Sequence, residues 1–274
     1  MKRKTIIKIS VCLGVFIALI SYCLWENNAL TTSNYTYTSG EIGSELDGYK
    51  IVQISDLHNK SFGGKSSRLL EAITAESPNI IVVTGDIVDS RHTDIDTALE
   101  FVQGAVEIAP VYYITGNHEH MLSAEDFDTL MQGMTDAGVI ILDNECTQIS
   151  VGDAQFNLIG LSNTDLTDGT LGDISPSSEN QLNILLAHQP QFIENYAAGG
   201  ADIVLSEHAH GGQIRLPFIG GLFAPGQGLF PEYCDGSHTV DHTTMIVSRG
   251  LGNSVFPLRI NDRPEIVVLE LKKP

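Results

Sequence analysis

Basic residues are scarce in this 274-residue chain: 15 Lys and Arg stand against 34 Asp and Glu, a formal net charge of −19. Four of the basic residues, Lys2, Arg3, Lys4 and Lys8, fall in the first 25 positions, which hold no acid. The remainder carries 11 basic against 34 acidic residues, a charge of −23. A body this acidic repels polyanions, which argues against nucleic acid as a partner. Cysteine is also scarce. Cys12 and Cys23 lie in an apolar N-terminal run, and Cys146 and Cys234 stand alone without C-x-x-C spacing, so no zinc ribbon is encoded. Whether Cys146 and Cys234 pair is left open. Internal repeats, low-complexity tracts and an interior domain boundary are lacking as well. With 42% hydrophobic residues, the chain has enough apolar material for one sizeable core.

The N-terminus reads as a separate object. No charged residue occurs from Ile9 to Trp25, and Ile6 and Ile7 extend the run across Lys8 toward the ~20 residues that span a bilayer. Basic residues before the run and none just after it predict a cytoplasmic tip and an extracytoplasmic body. A cleaved signal peptide is the rival reading. No small-x-small pattern follows the run directly, Tyr22 is too large for a lipoprotein cleavage box, and Tyr22 with Trp25 reads as an interfacial belt. The expectation is an uncleaved single-pass anchor over 1–25, a polar linker over 26–47 and a body over 48–274. Within the linker, Tyr35-Thr36-Tyr37-Thr38 alternates like an edge strand.

Five apolar runs in the body end in oxygen or imidazole donors. Ile51–Ile54 leads into Asp56 and His58, Ile80–Val83 into Gly85-Asp86, and Val111–Ile114 into Gly116-Asn117-His118-Glu119. Ile184–Leu186 leads into His188, and Ile203–Leu205 into Glu207-His208-Ala209-His210. Between the first three runs, helical periodicity appears over 66–75 and 94–108, followed by a third helix over 123–137. Ser123 and Asp126 there fit a capping box with Asp at its third position. Alternating strand and helix implies a largely parallel sheet. The second half is richer in strands, with a hairpin at Gly152-Asp153, a polar loop over 166–179, a short helix near 192–196 and closing strands at 245–248 and 266–269. Together these predict an α/β fold: two packed sheets flanked by helices, plus an N-terminal transmembrane helix.

Singly, each of these Asp and His residues reads as a cap, a turn or a solvated side chain. Jointly, at five strand ends, they suit a pair of divalent cations about 3.5–4 Å apart, which need a bridging carboxylate within a mixed oxygen and nitrogen shell. Asp86 is the natural bridge. A water held between such ions would lose its proton near neutral pH and attack phosphorus, and His118 is placed to protonate the leaving group.

The chain resembles the calcineurin-like metallophosphoesterases, and within them the bacterial membrane-anchored branch, over about residues 48–272. Asp56 and His58 match the family's Asp-x-His motif, Asp86 its Gly-Asp, Asn117 and His118 its Gly-Asn-His, His188 its isolated histidine, and His208 and His210 its terminal His-x-His. Gly211-Gly212-Gln213-Ile214 and Ser248-Arg249-Gly250-Leu251-Gly252 also look like that branch. The resemblance implies a central β-sandwich and two divalent ions (Mn, Fe, Zn or Co). It assigns metal one to Asp56, His58, Asp86 and His210, and metal two to Asp86, Asn117, His188 and His208.

Two departures stand out. The family usually has Gly where Glu207 precedes His208; the expectation is that the Glu207 side chain turns to solvent and leaves the site intact, with a strained loop or an extra carboxylate beside the metals as the alternative. The phosphoprotein phosphatases follow Gly-Asp with x-x-Asp-Arg-Gly. Here Asp89 matches the Asp that orients their catalytic histidine, but Ser90 occupies the Arg position and Arg91 lies one place along. That pattern argues against a protein phosphatase and, lacking a fixed cation for a dianion, favours a diester over a monoester. The apolar stretches 216–223 and 229–231 are expected to fold inward as core, with lipid contact as the alternative. The resulting expectation is a membrane-anchored two-metal phosphodiesterase acting on a lipid-linked or envelope substrate. A phosphomonoesterase and a catalytically impaired envelope-binding protein are the alternatives.

Overall fold

The computed structural model describes residues 3–162, 181–253 and 256–274. The polar loop expected over 166–179 lies outside the described residues. Helix α1 (Arg3–Asn28) is followed by β1 (Thr31–Thr38), β2 (Lys50–Ile54), α2 (Ser67–Glu76), β3 (Ile80–Thr84), α3 (Ile95–Val106) and β4 (Val111–Ile114). The four-residue α4 (Asn117–His120), α5 (Ala124–Asp136) and β5 (Ile140–Ile141) complete the first half. The second half comprises β6 (Glu145–Val151), β7 (Ala154–Leu161), β8 (Asn183–Ala187), α6 (Ile193–Ala198) and β9 (Ile203–Ser206). Four two-residue strands follow, paired as two short ladders: β10 (Arg215–Leu216) with β11 (Gly220–Gly221), and β12 (Phe223–Ala224) with β13 (Gly228–Leu229). The chain closes with β14 (Gly236–Val240), β15 (Thr243–Val247) and β16 (Glu265–Lys272).

Two six-stranded sheets, ordered β1-β16-β2-β3-β4-β5 and β14-β15-β9-β8-β7-β6, stack face to face. Ile51, Val82, Ile114 and Leu269 of the first sheet meet Phe156, Leu158, Leu186 and Leu205 of the second in one dry layer. On the outer face of the first sheet, Val52, Ile54, Val83 and Tyr113 receive Leu69 and Ile73 of α2, Phe101 and Val102 of α3, and Leu130 and Met134 of α5. Ile193 and Tyr196 of α6 cover the outer face of the second sheet. Strands β3, β4 and β9 bury every residue, and β8 all but its first, Asn183, because they are covered on both faces, which is why they read as apolar runs.

The helix starts follow from their caps. Asp94 Oδ1 accepts the Thr97 N–H at 3.1 Å ahead of α3, and Ser123 Oγ accepts the Asp126 N–H at 3.1 Å ahead of α5. Asp126 returns its carboxylate to the Ser123 hydroxyl at 2.8 Å, where a capping box would use the backbone N–H. The alternating stretch at 35–38 belongs to β1, which pairs in parallel with β16 from Thr31 to Thr38, while Ile42 and Leu46 bury between the sheets. Much of the 26–47 segment is therefore packed on the body. All four cysteines are free thiols.

Strands β2, β3 and β4 are mutually parallel, as are β7, β8, β9 and β15, so their carboxyl ends share one rim of the sandwich. Side chains ending parallel strands at such a rim form the usual ligand site of α/β sheets. Gln53, fully buried, ties the two sheets beneath that rim by donating to Thr84 Oγ1 at 2.9 Å and to the Ser206 carbonyl at 3.0 Å.

Candidate metal centre

All seven expected ligands meet at this rim. Asp56 Oδ1 lies 3.5 Å from His58 Nε2 and 3.4 Å from His210 Nε2, which makes one cluster. Asp86 Oδ2 lies 3.4 Å from His188 Nε2, and His188 Nε2 lies 3.1 Å from both Asn117 Oδ1 and His208 Nδ1, which makes a second. The clusters share an atom. Asp86 Oδ2 also stands 3.7 Å from His58 Nε2, between the two groups of imidazoles, while Asp86 Oδ1 is occupied by the His118 N–H at 2.8 Å.

The donor chemistry fits a pair of cations. A carbonyl can only accept, so His188 Nδ1, 2.8 Å from the Thr84 carbonyl, must carry the proton there. In the neutral ring Nε2 would then present a lone pair toward Asp86 Oδ2 and Asn117 Oδ1, and three acceptors would face one another. In the other cluster, Asp56 Oδ1 and both nitrogens of His58 are buried without a hydrogen bond. Buried acceptors left in this state need a positive charge among them. The protonation balance gives the same picture. Burial opposes a charge on His188, yet Asp86 and Asp56 outweigh it and push the imidazole up to about 10. Burial also opposes ionisation of Asp86, but His188 and His58 hold its carboxyl far below the usual range. Burial pushes Asp56 up to about 6. It holds His58 and His210 below the ordinary imidazole value and, with His188, takes His208 down to about 3, so these rings keep the lone pairs that ligands require. A cation would answer the demand that the bare site meets with a proton on His188.

Backbone strain concentrates here. Asp56, His58, Asp86, His208 and His210 all have positive φ, from 46° to 104°, a region non-glycine residues occupy at a cost of about 1–3 kcal/mol each. Two glycines make the close approach possible. A Cβ on Gly85 would sit 2.6 Å from the Gly116 nitrogen, and a Cβ on Gly116 would sit 2.3 Å from Asp86 Oδ1. That mutual contact explains why both the Asp86 and Asn117 turns begin with glycine.

Two carboxylates that carried no role in the sequence reading, or the wrong one, hold this strained arrangement. Glu119 is fully buried; its Oε2 accepts the N–H groups of Asp86 (2.9 Å) and Gly116 (2.8 Å), and its Oε1 accepts that of Ile87 (2.8 Å). It thereby locks the β3 turn to the β4 turn, and burial beside Asp86 pushes its carboxyl up to about 7. Its only sequence signal was its place next to Gly116-Asn117-His118. Glu207 corrects an expectation: its side chain is fully buried instead of facing solvent. It accepts the His210 N–H at 2.7 Å and the His208 N–H, clamping the turn that carries both histidines. Burial and the adjoining Asp56 carboxylate drive Glu207 well above the usual carboxyl range. Enclosure by Asp56 and the histidine turn leaves it no path to water.

His118 and Asp89 sit together beside the first cluster. His118 Nδ1 lies 3.3 Å from Asp89 Oδ1 and 3.1 Å from the Ser90 N–H, and the ring meets His58 edge-on at a centroid distance of 4.5 Å. The two Nδ1 contacts belong to different protonation states. The Ser90 N–H needs a bare Nδ1, whereas Asp89 pairs with a protonated one. Ser90 Oγ also stands 3.1 Å from Nδ1, and Arg91 is exposed, its backbone N–H held by Asp89 Oδ1 at 3.0 Å. The segment after the last ligand corrects a second expectation. Leu216, Phe218, Ile219, Phe223, Leu229 and Phe230 are exposed, because the short strands β10–β13 and the turns that join them hold these side chains outward.

Comparison with known proteins gives the same constellation a family. Residues 49–212 match the calcineurin-like phosphoesterase family model. The chain is 31% identical over 260 residues to the uncharacterized metallophosphoesterase YkuE of Bacillus subtilis, covering 90% of this chain and 87% of that one. It is 30% identical to the phosphodiesterase YaeI of Escherichia coli over 227 residues, covering 81% of this chain and 82% of the other. It is also 27% identical over 250 residues to a zebrafish transmembrane protein with a metallophosphoesterase domain, covering 85% of this chain and 55% of that protein. With donor clusters at five strand ends and relatives of this kind, the chain belongs to the calcineurin-like phosphoesterase family of metal-dependent phosphoesterases.

Proposed function

We propose that the protein is a phosphodiesterase anchored in the cell membrane by α1, with its catalytic body outside the cytoplasm and a lipid-linked or envelope phosphodiester as substrate. The observation that carries the reading is Asp86 Oδ2, a single buried carboxylate oxygen placed between His58 of one cluster and His188 of the other. Asp56, His58, Asp86 and His210 would hold one cation, and Asp86, Asn117, His188 and His208 the other. Bound there, the two ions supply a nucleophilic water at neutral pH and Lewis-acid neutralisation of phosphoryl charge.

The chain's own residues do the rest. Glu119 and Glu207 fix the turns that present the ligands, so the donor set is held ready before substrate arrives. His118, doubly protonated with its Nδ1–H paired to Asp89, would give its Nε2 proton to the leaving-group oxygen and return to the neutral ring, whose bare Nδ1 can then accept the Ser90 N–H. Ser90 at the arginine position leaves no fixed guanidinium beside His118 to recognise a phosphate dianion, which favours the diester. YaeI is called a phosphodiesterase, in keeping with that preference. For the anchor, α1 is 26 residues long, about 39 Å at 1.5 Å per residue, against a hydrocarbon core of ~30 Å. It is apolar enough to cross a membrane, and its side chains through Trp25 are largely exposed.

The full chain in detergent is expected to hydrolyse bis-p-nitrophenyl phosphate with a higher kcat/KM than p-nitrophenyl phosphate, to lose that activity to a chelator, and to regain it with Mn, Zn or Co. Preference for the monoester would establish the phosphomonoesterase reading. Inactivity toward both esters with metal bound would establish the impaired one. His118→Asn is expected to slow an alkyl phosphodiester by about 10²–10⁴-fold and a p-nitrophenyl ester much less, with metal content unchanged. Equal losses on the two leaving groups would take the acid role from His118. Protease added to intact protoplasts should digest the body, and a body protected from it would reverse the topology.

A further inference from the structure

We propose that the apolar loops between Arg215 and Pro231 form a membrane-seating surface that enters the interfacial layer of the bilayer crossed by α1. The proposal rests on the anchor reading above and is independent of the reaction catalysed. Six large apolar side chains stand exposed here: Leu216, Phe223 and Leu229 on strands β10, β12 and β13, Phe230 just after β13, and Phe218 and Ile219 in the turn between β10 and β11, with Phe218 at 108% of its reference exposure. A cluster of that kind on a soluble face marks a contact surface.

Its position in the fold selects the occupant. Arg215 donates its N–H to the Ile260 carbonyl at 2.9 Å, Ile260 donates to the Gln213 carbonyl at 3.0 Å, and Asn261 Nδ2 donates to the Arg215 carbonyl at 3.2 Å. Asn261 Oδ1 in turn accepts the Tyr22 hydroxyl of α1 at 2.7 Å, and Arg263 lies over the Trp25 ring, 5.5 Å from its centroid. The ladders are thus tied, through two hydrogen-bonded steps, to the aromatic residues that mark the headgroup level of a membrane helix. The last turn of α1 is also fixed to the body. The Asp262 N–H donates to the buried Glu26 carboxylate at 2.9 Å, and Asn27 Oδ1 accepts from Asn253 Nδ2 at 2.9 Å and from the Arg259 N–H at 3.2 Å. A helix end held at so many points cannot swing the apolar loops away from the bilayer. Charge selects the mode of contact. The body carries −23 outside the first 25 residues, and Arg215 is paired with Asp235 at 2.8 Å, so the attraction is apolar insertion and works on zwitterionic lipid. Gln213, whose N–H donates to the His210 carbonyl at 2.8 Å, joins this surface directly to the turn that carries His210.

The test uses the full chain, one copy per phosphatidylcholine nanodisc, with brominated phosphatidylcholine as the quencher within the bilayer and iodide as the quencher in water. Trp25, the sole tryptophan, reports the anchor in the wild-type chain. Trp25→Phe with Phe218→Trp reports the loop, and Trp25→Phe with Asp128→Trp, on the exposed face of α5, reports solvent. Retained hydrolysis of bis-p-nitrophenyl phosphate confirms that each variant is folded. The expected result is bromolipid quenching at position 218 of at least about half the Trp25 depth, with a blue-shifted emission, and none at position 128. Quenching at Trp25 without quenching at 218 would overturn the proposal and leave the anchor standing. No quenching at Trp25 would remove the anchor reading and the proposal with it. Shielding of 218 from iodide without bromolipid quenching would assign the surface to a protein contact, such as a second copy, and overturn the proposal.

Discussion

The structure is governed by the convergence of two buried carboxylates, Asp56 and Asp86, with imidazole and amide lone pairs inside one rim of a β-sandwich. Asp56 Oδ1 faces the Nε2 atoms of His210 and His58 at 3.4 and 3.5 Å, and Asp86 Oδ2 faces His188 Nε2 at 3.4 Å and the same His58 nitrogen at 3.7 Å. Desolvated negative charge and lone pairs at such distances repel unless positive charge is supplied, and the unpartnered atoms of Asp56 and His58 show the protein does not supply it through hydrogen bonds. One cation at each cluster would resolve the repulsion. The positive-φ turns, the Gly85–Gly116 contact and the cross-sheet Gln53 are all costs or constraints accepted to bring five strand ends to that point.

Local strain of this kind persists only where neighbouring groups over-determine it. Glu119 and Glu207 do this with backbone N–H groups, which are fixed donors that remain in place whether or not a ligand is bound. Glu119 binds the turn of Asp86 to that of Asn117, and Glu207 binds the turns of His208 and His210 beside Asp56. A glycine at 207 would leave those two N–H groups to find other partners. The unusual residue in this chain therefore works as part of the scaffold of the metal centre.

The two sheets and their helices were legible in the sequence, because buried parallel strands read as apolar runs, and the seven Asp, Asn and His residues that follow those runs lie together at one rim, as their order implied. The scaffold was not. Glu119 and Glu207 look like any acid next to a motif, and only tertiary burial turns them into N–H clamps. Gln53 sits in an apolar run where a single polar residue gives no hint that it spans two sheets. The exposure of Phe218 and Phe230 was misread for a related reason. Composition cannot tell an apolar loop that folds inward from one whose two-residue ladders hold it outward. The strand at 31–38 was visible as alternation, but its partner, β16, lies more than two hundred residues away.

The central claim is that Asp86 is shared by two ions, and metal stoichiometry in the Asp86→Ala variant tests it most directly. Wild-type chain purified with saturating Mn and freed of unbound ion should carry two ions, by mass spectrometry of the metal against protein. Asp86→Ala should carry none while keeping the wild-type circular dichroism spectrum, because each cluster loses its common oxygen. Two ions retained in Asp86→Ala would contradict the shared bridge and the account built on it.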